Sequence, residues 1–185
     1  MSTTPLRADA QRNLERVLDA AAELFAERGC GVSVDEIARR AGVGHATVFR
    51  RFPSKDELIS AVVSKQIGEL TAYVEAALAE DDAGEAFRSF VWHAAELHAR
   101  DRGLYEGFSR CGAMQEVAEA KAGLNVLIDQ LIERAQKAGA VRKDVSADDV
   151  STLVGTAIRG AHGSADPELW RRYVAVVLDG LGARG

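Results

Sequence analysis

Apolar residues recur every three to four positions along most of this chain, the spacing that places them on one face of an α-helix. Leu14, Val17, Ala21 and Phe25 form the first such face within residues 10–28. Glycines follow that segment and end its helix. Similar segments continue to the C-terminus, and none has the strict alternation typical of a strand. The pattern therefore predicts about nine helices and no strands.

Several of these segments begin with a serine that is followed three residues later by an acidic residue. In this arrangement, the capping box, each side chain accepts a hydrogen bond from a free backbone N–H at the helix start. The pairs with this spacing are Ser33 with Glu36, Ser54 with Glu57, and Ser146 with Asp149. At the last helix, Asp166 precedes Pro167, and proline is favoured at the first helical position. We therefore expect that helix to begin at Pro167.

Two short segments, residues 33–40 and 44–51, have the spacing of two helices joined by a tight glycine-containing turn. This is the arrangement of a helix-turn-helix unit. On a helical wheel Val48 points inward, which places Ala46 and Arg50 on the opposite side. Similar corners occur in proteins that bind no nucleic acid. The spacing alone leaves a solvated corner and a DNA-binding surface both open.

The charge distribution changes this picture. The chain has 185 residues, 47% of them hydrophobic and 28% charged, with a net charge of −5, the balance of a soluble globular protein. Residues 37–55 nevertheless contain five basic residues and no acidic residue. A local basic patch on an acidic protein favours a directed interaction with a polyanion, because the net charge repels one.

Two segments stand out in the first 60 or so residues: VLDAAAELFAERG at 17–29 and SVDEIARRAGVGHATVFRRFPSKDEL at 33–58. Through them this part of the chain closely resembles the DNA-binding domain of the TetR (tetracycline-repressor-type) family of transcription regulators. The remainder resembles the family only in length, all-helical character and its closing LWRRYVAVVLDGL. The resemblance implies an all-α protein with a three-helix DNA-binding domain at residues 10–68. A helical ligand-binding and dimerisation domain would follow at residues 69–185.

Carried over position by position, the resemblance implies that residues 44–50 enter the major groove of double-stranded DNA. Phe49 stands where the family usually has tyrosine, whose hydroxyl meets a phosphate, and Arg51 stands where histidine is frequent. Whether Arg39 and Arg40 contact DNA or are only solvated stays open. The predicted DNA-binding residues are Ser33, Arg39, Gly44, His45, Ala46, Thr47, Phe49, Arg50, Arg51 and Lys55.

In the resembling family the last two helices pair with those of a second subunit, which implies a homodimer. Two DNA-binding domains set about 34 Å apart, one turn of DNA, imply a palindromic operator. The predicted interface residues are Ser151, Gly155, Ile158, Trp170, Tyr173, Val174, Val177, Leu178 and Leu181.

A group of aromatic and polarizable residues is the candidate lining of a ligand pocket, and it could equally be core. Its members are Trp92, His93, Tyr105, Phe108 and Met114. His93 and His98 are five residues apart, unlike the i, i+4 spacing of a two-histidine metal face. No metal, cofactor or catalytic residue set is predicted.

The sequence therefore predicts a dimeric, ligand-responsive transcription regulator, favouring a repressor released from its operator by a small-molecule effector. One alternative is a DNA-binding regulator controlled by a protein partner, and another is a small helical enzyme with the same architecture. The chain has no apolar stretch of about eighteen residues that would span a membrane, which leaves the cytoplasm as the expected location. Cys30 and Cys111 are expected to be unpaired thiols there.

Overall fold

The structure, a computed structural model, describes residues 4–100, 115–161 and 163–183. Within these ranges the chain forms eight α-helices and no strand, which confirms the all-α prediction. The glycines at positions 103, 107 and 112 predict a short, irregular helix around residues 104–110, a segment that lies outside the described residues. The helices are α1 (Thr4–Arg28), α2 (Val34–Ala41), α3 (His45–Arg51), α4 (Lys55–Leu78), α5 (Ala83–Arg100), α6 (Gln115–Lys137), α7 (Ala147–Gly160) and α8 (Leu169–Leu181).

Two of the predicted capping boxes fix the starts of α2 and α7. At α2 the Ser33 hydroxyl oxygen accepts the Glu36 backbone N–H at 3.3 Å, and the Glu36 carboxylate accepts the Ser33 backbone N–H at 3.1 Å. Ser146 and Asp149 exchange the equivalent bonds at 3.2 and 2.9 Å. Each box satisfies backbone donors that have no partner within the helix.

The last helix begins later than the sequence predicts. The Asp166 carboxylate accepts the Glu168 backbone N–H at 3.0 Å, and the Asp166 carbonyl oxygen accepts the Leu169 backbone N–H at 3.3 Å. These bonds form a separate turn in which Pro167 lies. The expectation that Pro167 opens the helix was wrong, because Asp166 caps this turn and α8 starts at Leu169.

The chain divides into two compact units. The described residues of the first are 4–66 and 115–118, and those of the second are 67–100, 119–161 and 163–183. The boundary predicted after residue 68 stays a prediction. In the first unit α2 packs against both α1 and α3. The largest buried side chains of these helices are Leu24, Phe25, Ile37 and Val48.

The second unit is built around α5, α7 and α8, which pack against one another. From α6, the Arg134 guanidinium donates to the Leu78 carbonyl oxygen at 2.9 Å and so satisfies the C-terminal end of α4. None of the described helices is long and apolar enough to cross a membrane. Large residues of the buried core include Phe87, Phe90, Leu131, Ile158 and Val174.

Candidate nucleic-acid interface

The turn between α2 and α3 depends on Gly42. This residue has φ of +64°, a left-handed conformation that costs other residues energy because of their Cβ atom. Its backbone N–H donates to the Arg39 carbonyl oxygen at 3.2 Å, and its own carbonyl oxygen accepts from Arg16 Nη2 at 3.3 Å. A Cβ at position 42 would overlap that Nη2. Glycine therefore permits both the turn and the contact with α1.

Helix α3 buries one side chain and leaves most of the others accessible. Val48 is buried, as the helical wheel predicts, and Thr47 is half-buried. At the helix start, Gly44 accepts the Thr47 backbone N–H at 2.9 Å through its carbonyl oxygen. The exposed residues are Gly44, His45, Ala46, Phe49, Arg50 and Arg51. Of the predicted DNA-binding residues from Gly44 to Arg51, all but the half-buried Thr47 are therefore exposed.

The two adjacent arginines of α2 have different surroundings. Arg40 forms ion pairs with Glu23 at 3.0 Å and Glu27 at 3.3 Å, both from α1. The hydrogen bonds that Arg40 donates to Glu27, and then to Glu23, raise the pKa of Arg40 above its ordinary value. Arg39 is exposed, and no carboxylate among the described residues pairs with it. Arg39 is therefore available to an external anion, whereas Arg40 is held by α1.

The cations at the end of α3 lie close to the helix itself. Arg50 Nε donates to the Ala46 carbonyl oxygen at 3.2 Å. The Arg51 guanidinium lies 5.8 Å from the centre of the buried Phe52 ring. Lys55 is half-buried at the first position of α4. All three cations follow Val48 within eight residues, so they concentrate positive charge in one short stretch of the chain.

His45, at the start of α3, contacts residues on both sides. Its Nδ1 is paired with the Asp35 carboxylate, which belongs to the first turn of α2. Its ring centre lies 4.5 Å from that of Phe49, with the ring planes 32° apart. The sequence did not indicate the Asp35 contact, because the two residues are ten positions apart on different helices. Phe49 is 44% exposed, so it belongs to the surface.

The Ser33 hydroxyl is already engaged by the capping box of α2. The Ser33 backbone N–H, followed by its hydroxyl, lowers the pKa of Glu36 below the ordinary value, and Arg28 adds to this effect. Arg28 Nη1 lies 3.0 Å from the Glu36 carboxylate. Ser33 remains exposed. Ser33 therefore has a structural role as the cap of α2, and its contact with DNA stays a prediction.

The predicted pocket residues are only partly described. Trp92 packs edge-on against Trp170 of α8, with ring centres 6.4 Å apart, and His93 stacks on Tyr73 of α4 at 3.9 Å. These neighbours on α5 contact different helices, and the ligand pocket that they were predicted to line stays a prediction. Tyr105, Phe108 and Met114 lie outside the described residues.

An open groove of about 180 Å³ lies elsewhere in the second unit. It is lined by residues near the start of α5, by Ala140 and Val141, and by Leu178 and Gly182. Trp92 and His93 do not line it. Among the described residues, no group of three or more His, Cys, Asp or Glu side chains is placed to hold a metal ion.

The residues predicted for a subunit interface divide into buried and accessible groups. Gly155, Ile158, Val174, Leu178 and Leu181 are buried within the chain itself, and their place in a subunit interface stays a prediction. Their apolar surface is already covered by the second unit, and a helical wheel cannot distinguish this from burial by a partner. Of the others, Trp170 and Val177 are half-buried, and Ser151 and Tyr173 are exposed.

A neighbouring surface of α7 and α8 carries exposed apolar residues. Leu153 is 44% exposed, Tyr173 40% and Val176 70%. The Tyr173 ring of α8 comes within 3.9 Å of the position that a Cβ of Gly160 on α7 would occupy. The exposed residues of the two helices therefore form one continuous surface. None of these residues is charged, and Leu153 and Val176 were missing from the prediction. We define the α7–α8 face as Leu153, Thr156, Gly160, Tyr173 and Val176.

Comparison with known families gives two separate matches along the chain. Residues 17–62 match the model of bacterial regulatory proteins of the tetR family. Residues 82–183, more than half of the chain, match the C-terminal domain of SbtR-like transcriptional regulators. The chain belongs to the TetR family of transcription regulators. Its helix-turn-helix is accordingly a DNA-binding element, and the resemblance noted in the sequence is confirmed.

Individual relatives agree with this TetR-family assignment. A TetR transcription regulatory protein from Mycobacterium vanbaalenii superposes with a TM-score of 0.72 at 38% identity, over 97% of this chain and 100% of that one. The uncharacterized HTH-type transcriptional regulator Rv2250c of Mycobacterium tuberculosis is 30% identical over 155 residues, covering 82% of this chain and 80% of that protein.

Another relative is the HTH-type transcriptional repressor Rv3405c of Mycobacterium tuberculosis, which is 36% identical over 95 residues. That alignment covers 50% of this chain and 46% of the repressor. The chain thus spans about half the length of the curated relatives that it matches at this identity.

Proposed function

We propose that this chain is a homodimeric repressor that binds a palindromic operator through α3 and leaves it when a small-molecule effector binds the second unit. The observation that carries the DNA contact is the accessible surface of α3. Residues 37–55 contain no acidic residue, and Arg39 is exposed without an ion pair to any described carboxylate. That surface suits a polyanion within a chain of net negative charge.

The proposed roles follow from what each side chain can reach. An arginine such as Arg50 can bind guanine through two hydrogen bonds, and the small Ala46 permits close approach to the groove. Ser33 and Lys55 lie at helix starts, where backbone N–H groups and the helix dipole favour phosphate. Phosphate contacts of this kind fix the position of α3, and base contacts give it sequence preference.

The test is DNA binding by the purified full chain, measured by fluorescence anisotropy between about 50 and about 200 mM salt. We expect tighter binding to DNA from its own promoter region than to a scrambled duplex, with affinity that falls steeply as salt rises. Arg50→Ala and Lys55→Ala should each weaken binding. Absence of sequence preference, or unchanged affinity in both variants, would contradict the proposed interface.

The sign of regulation is supported by the name of the repressor Rv3405c. Activation is the competing possibility, since the relative FasR of Mycolicibacterium smegmatis is named an activator at 37% identity over 87 residues. Deleting the gene and measuring transcripts of neighbouring genes separates the two. Repression predicts that the transcripts rise, and a fall would support activation.

Effector control is the second part of the proposal. Helix α4 contributes to both units, so it is the continuous element through which binding in one can influence the other. The effector must bind the DNA-competent and DNA-free states with different affinity to shift their populations. A thermal-shift screen of a metabolite library should find a compound that also lowers operator affinity. No response, with DNA affinity altered by a cellular protein, would favour control by a protein partner.

A further inference from the structure

The contact between Asp35 and His45 joins the two helices of the helix-turn-helix at its accessible surface. The side chains are 72% and 50% exposed, so the pair lies at the surface that the proposed function places against DNA. Asp35 is in the first turn of α2, where the helix dipole favours a negative charge. A carboxylate beside the phosphate backbone weakens DNA binding by repulsion. Asp35 at this surface therefore does not strengthen general binding to DNA, which indicates a different role for it.

The chemistry of the pair fixes the hydrogen-bonding role of His45. A carboxylate only accepts hydrogen bonds, and a neutral imidazole carries one donor nitrogen and one acceptor nitrogen. Since Nδ1 faces Asp35, the proton belongs on Nδ1. In the neutral ring the other nitrogen, Nε2, is then an acceptor. The hydrogen bond made by one ring nitrogen thus determines which groups the other nitrogen can bind.

The orientation of the ring is limited from a second side. Phe49 lies one helical turn after His45, with its ring centre 4.5 Å from the imidazole. Asp35 on one helix and Phe49 on the other thus confine the ring before any ligand arrives. A side chain held in its binding orientation loses less conformational entropy on binding than a free one.

We propose that Asp35 is a positioning residue for base recognition: it presents His45 Nε2 to the major groove as an acceptor that selects an exocyclic amino group. In the major groove these groups are N6 of adenine and N4 of cytosine. The inference rests on the proposed function, because it requires that α3 lies in the groove. In this proposal Asp35 contributes to the choice of DNA sequence, although its negative charge lowers the overall affinity for DNA.

The experiment first locates the base pair that His45 recognises. Single-base-pair variants of the operator are compared between the wild-type chain and His45→Ala. At the position where the variant loses preference, adenine is replaced by purine, or cytosine by pyrimidin-2-one, each of which lacks only the amino group. We expect this replacement to weaken wild-type binding roughly fivefold and to leave His45→Ala unaffected.

Asp35→Ala then separates positioning from charge. We expect it to bind all duplexes more tightly, because a negative charge is removed, and to lose most of its sensitivity to the amino group. Asp56→Ala is the matched control, since Asp56 is an exposed acid in the first turn of α4. It should keep the wild-type sensitivity. Asp35→Ser, whose side chain is too short to hold the ring, should reproduce Asp35→Ala and guards against a folding defect in the alanine variant.

The outcomes distinguish this inference from the proposed function. If wild-type binding is specific and Arg50-dependent but Asp35→Ala and Asp35→Ser keep full sensitivity to the amino group, Asp35 is not a positioning residue. Wild-type insensitivity to the amino group, or no position at which His45→Ala loses preference, overturns the inference in the same way. A chain with no sequence-preferring DNA binding overturns both.

Discussion

Arg39 and Arg40 are adjacent residues of α2 with the same side chain and different partners. Arg40 is paired with Glu23 and Glu27 of α1, and Arg39 has no ion pair among the described residues. We therefore predict that Arg39→Ala removes one phosphate contact and reduces the slope of log affinity against log salt by about 1. The slope is measured by anisotropy on a single operator duplex.

Arg40→Ala is the matched control for this prediction. It deletes the same charge one position away, where the guanidinium is already held by two carboxylates. We expect the salt slope to stay at the wild-type value. If both variants change the slope equally, net charge governs binding rather than the availability of one side chain.

Phe49 offers a second test at the level of one residue. Phe49→Tyr keeps the ring beside His45 and adds a hydroxyl at the position where the family usually carries one. We predict that it tightens binding to specific and scrambled duplexes alike by roughly fivefold, the value of one hydrogen bond. Phe49→Leu keeps apolar bulk without the ring or the hydroxyl and should not tighten binding. A Tyr variant that binds no more tightly would place Phe49 away from the phosphate backbone.

At the scale of an element, α2 carries a pH-dependent contribution to stability through its capping box. The Ser33 backbone N–H holds the pKa of Glu36 below its ordinary value of 4.5. A carboxyl with a lowered pKa in the folded state adds stability above its unfolded pKa, and this is lost as pH falls through the folded pKa. We predict that Glu36→Gln unfolds at lower temperature than wild type near pH 7. The difference should shrink as pH falls below 4.5, as followed by circular dichroism.

The capping box of α7 provides the comparison. Asp149 also has a lowered pKa, caused first by the Ser146 hydroxyl and then by its backbone N–H. Asp149→Asn should therefore show the same pH dependence of stability but, near pH 7, leave DNA affinity closer to wild type than Glu36→Gln does. Ser33→Ala tests the cap itself and should cost about 1 kcal/mol of unfolding free energy. A Glu36→Gln deficit that is equally large in acid would show that its charge is not responsible.

The capping boxes and ion pairs of these helices show which contacts a sequence pattern can predict. Both capping boxes could be predicted because every interacting atom lies within four residues of the others. The Arg40–Glu23 pair joins positions 17 apart, and the Asp35–His45 pair joins two helices. Both depend on how helices pack, which no local pattern describes. Position 166 shows a local ambiguity, since its Asp-Pro pair suits a turn as well as a helix start.

At the scale of the whole molecule, a helical wheel identifies apolar faces without showing what covers them. Val174 and Leu178 are apolar and buried within the chain, whereas Val176 of the same helix is 70% exposed. The prediction that α7 and α8 carry surplus apolar surface is consistent with exposed Leu153, Tyr173 and Val176, although it named mostly the buried residues. We propose that the homodimer forms through the α7–α8 face. A two-fold interface uses the same surface of both subunits, and this face has three exposed apolar side chains and no charged member.

Val176→Asp tests this assembly most directly. In a two-fold dimer the substitution puts a carboxylate on both copies of the same surface, and removing such charges from water without partners is costly. We predict a dimer weakened roughly 100-fold or more, detected as a monomer by sedimentation velocity. Operator affinity should fall with it, since each subunit alone contacts one half-site. Val126→Asp is the matched control, because Val126 is 56% exposed on α6, outside the proposed face. A dimer that survives Val176→Asp but dissociates with Val126→Asp would move the interface to α6.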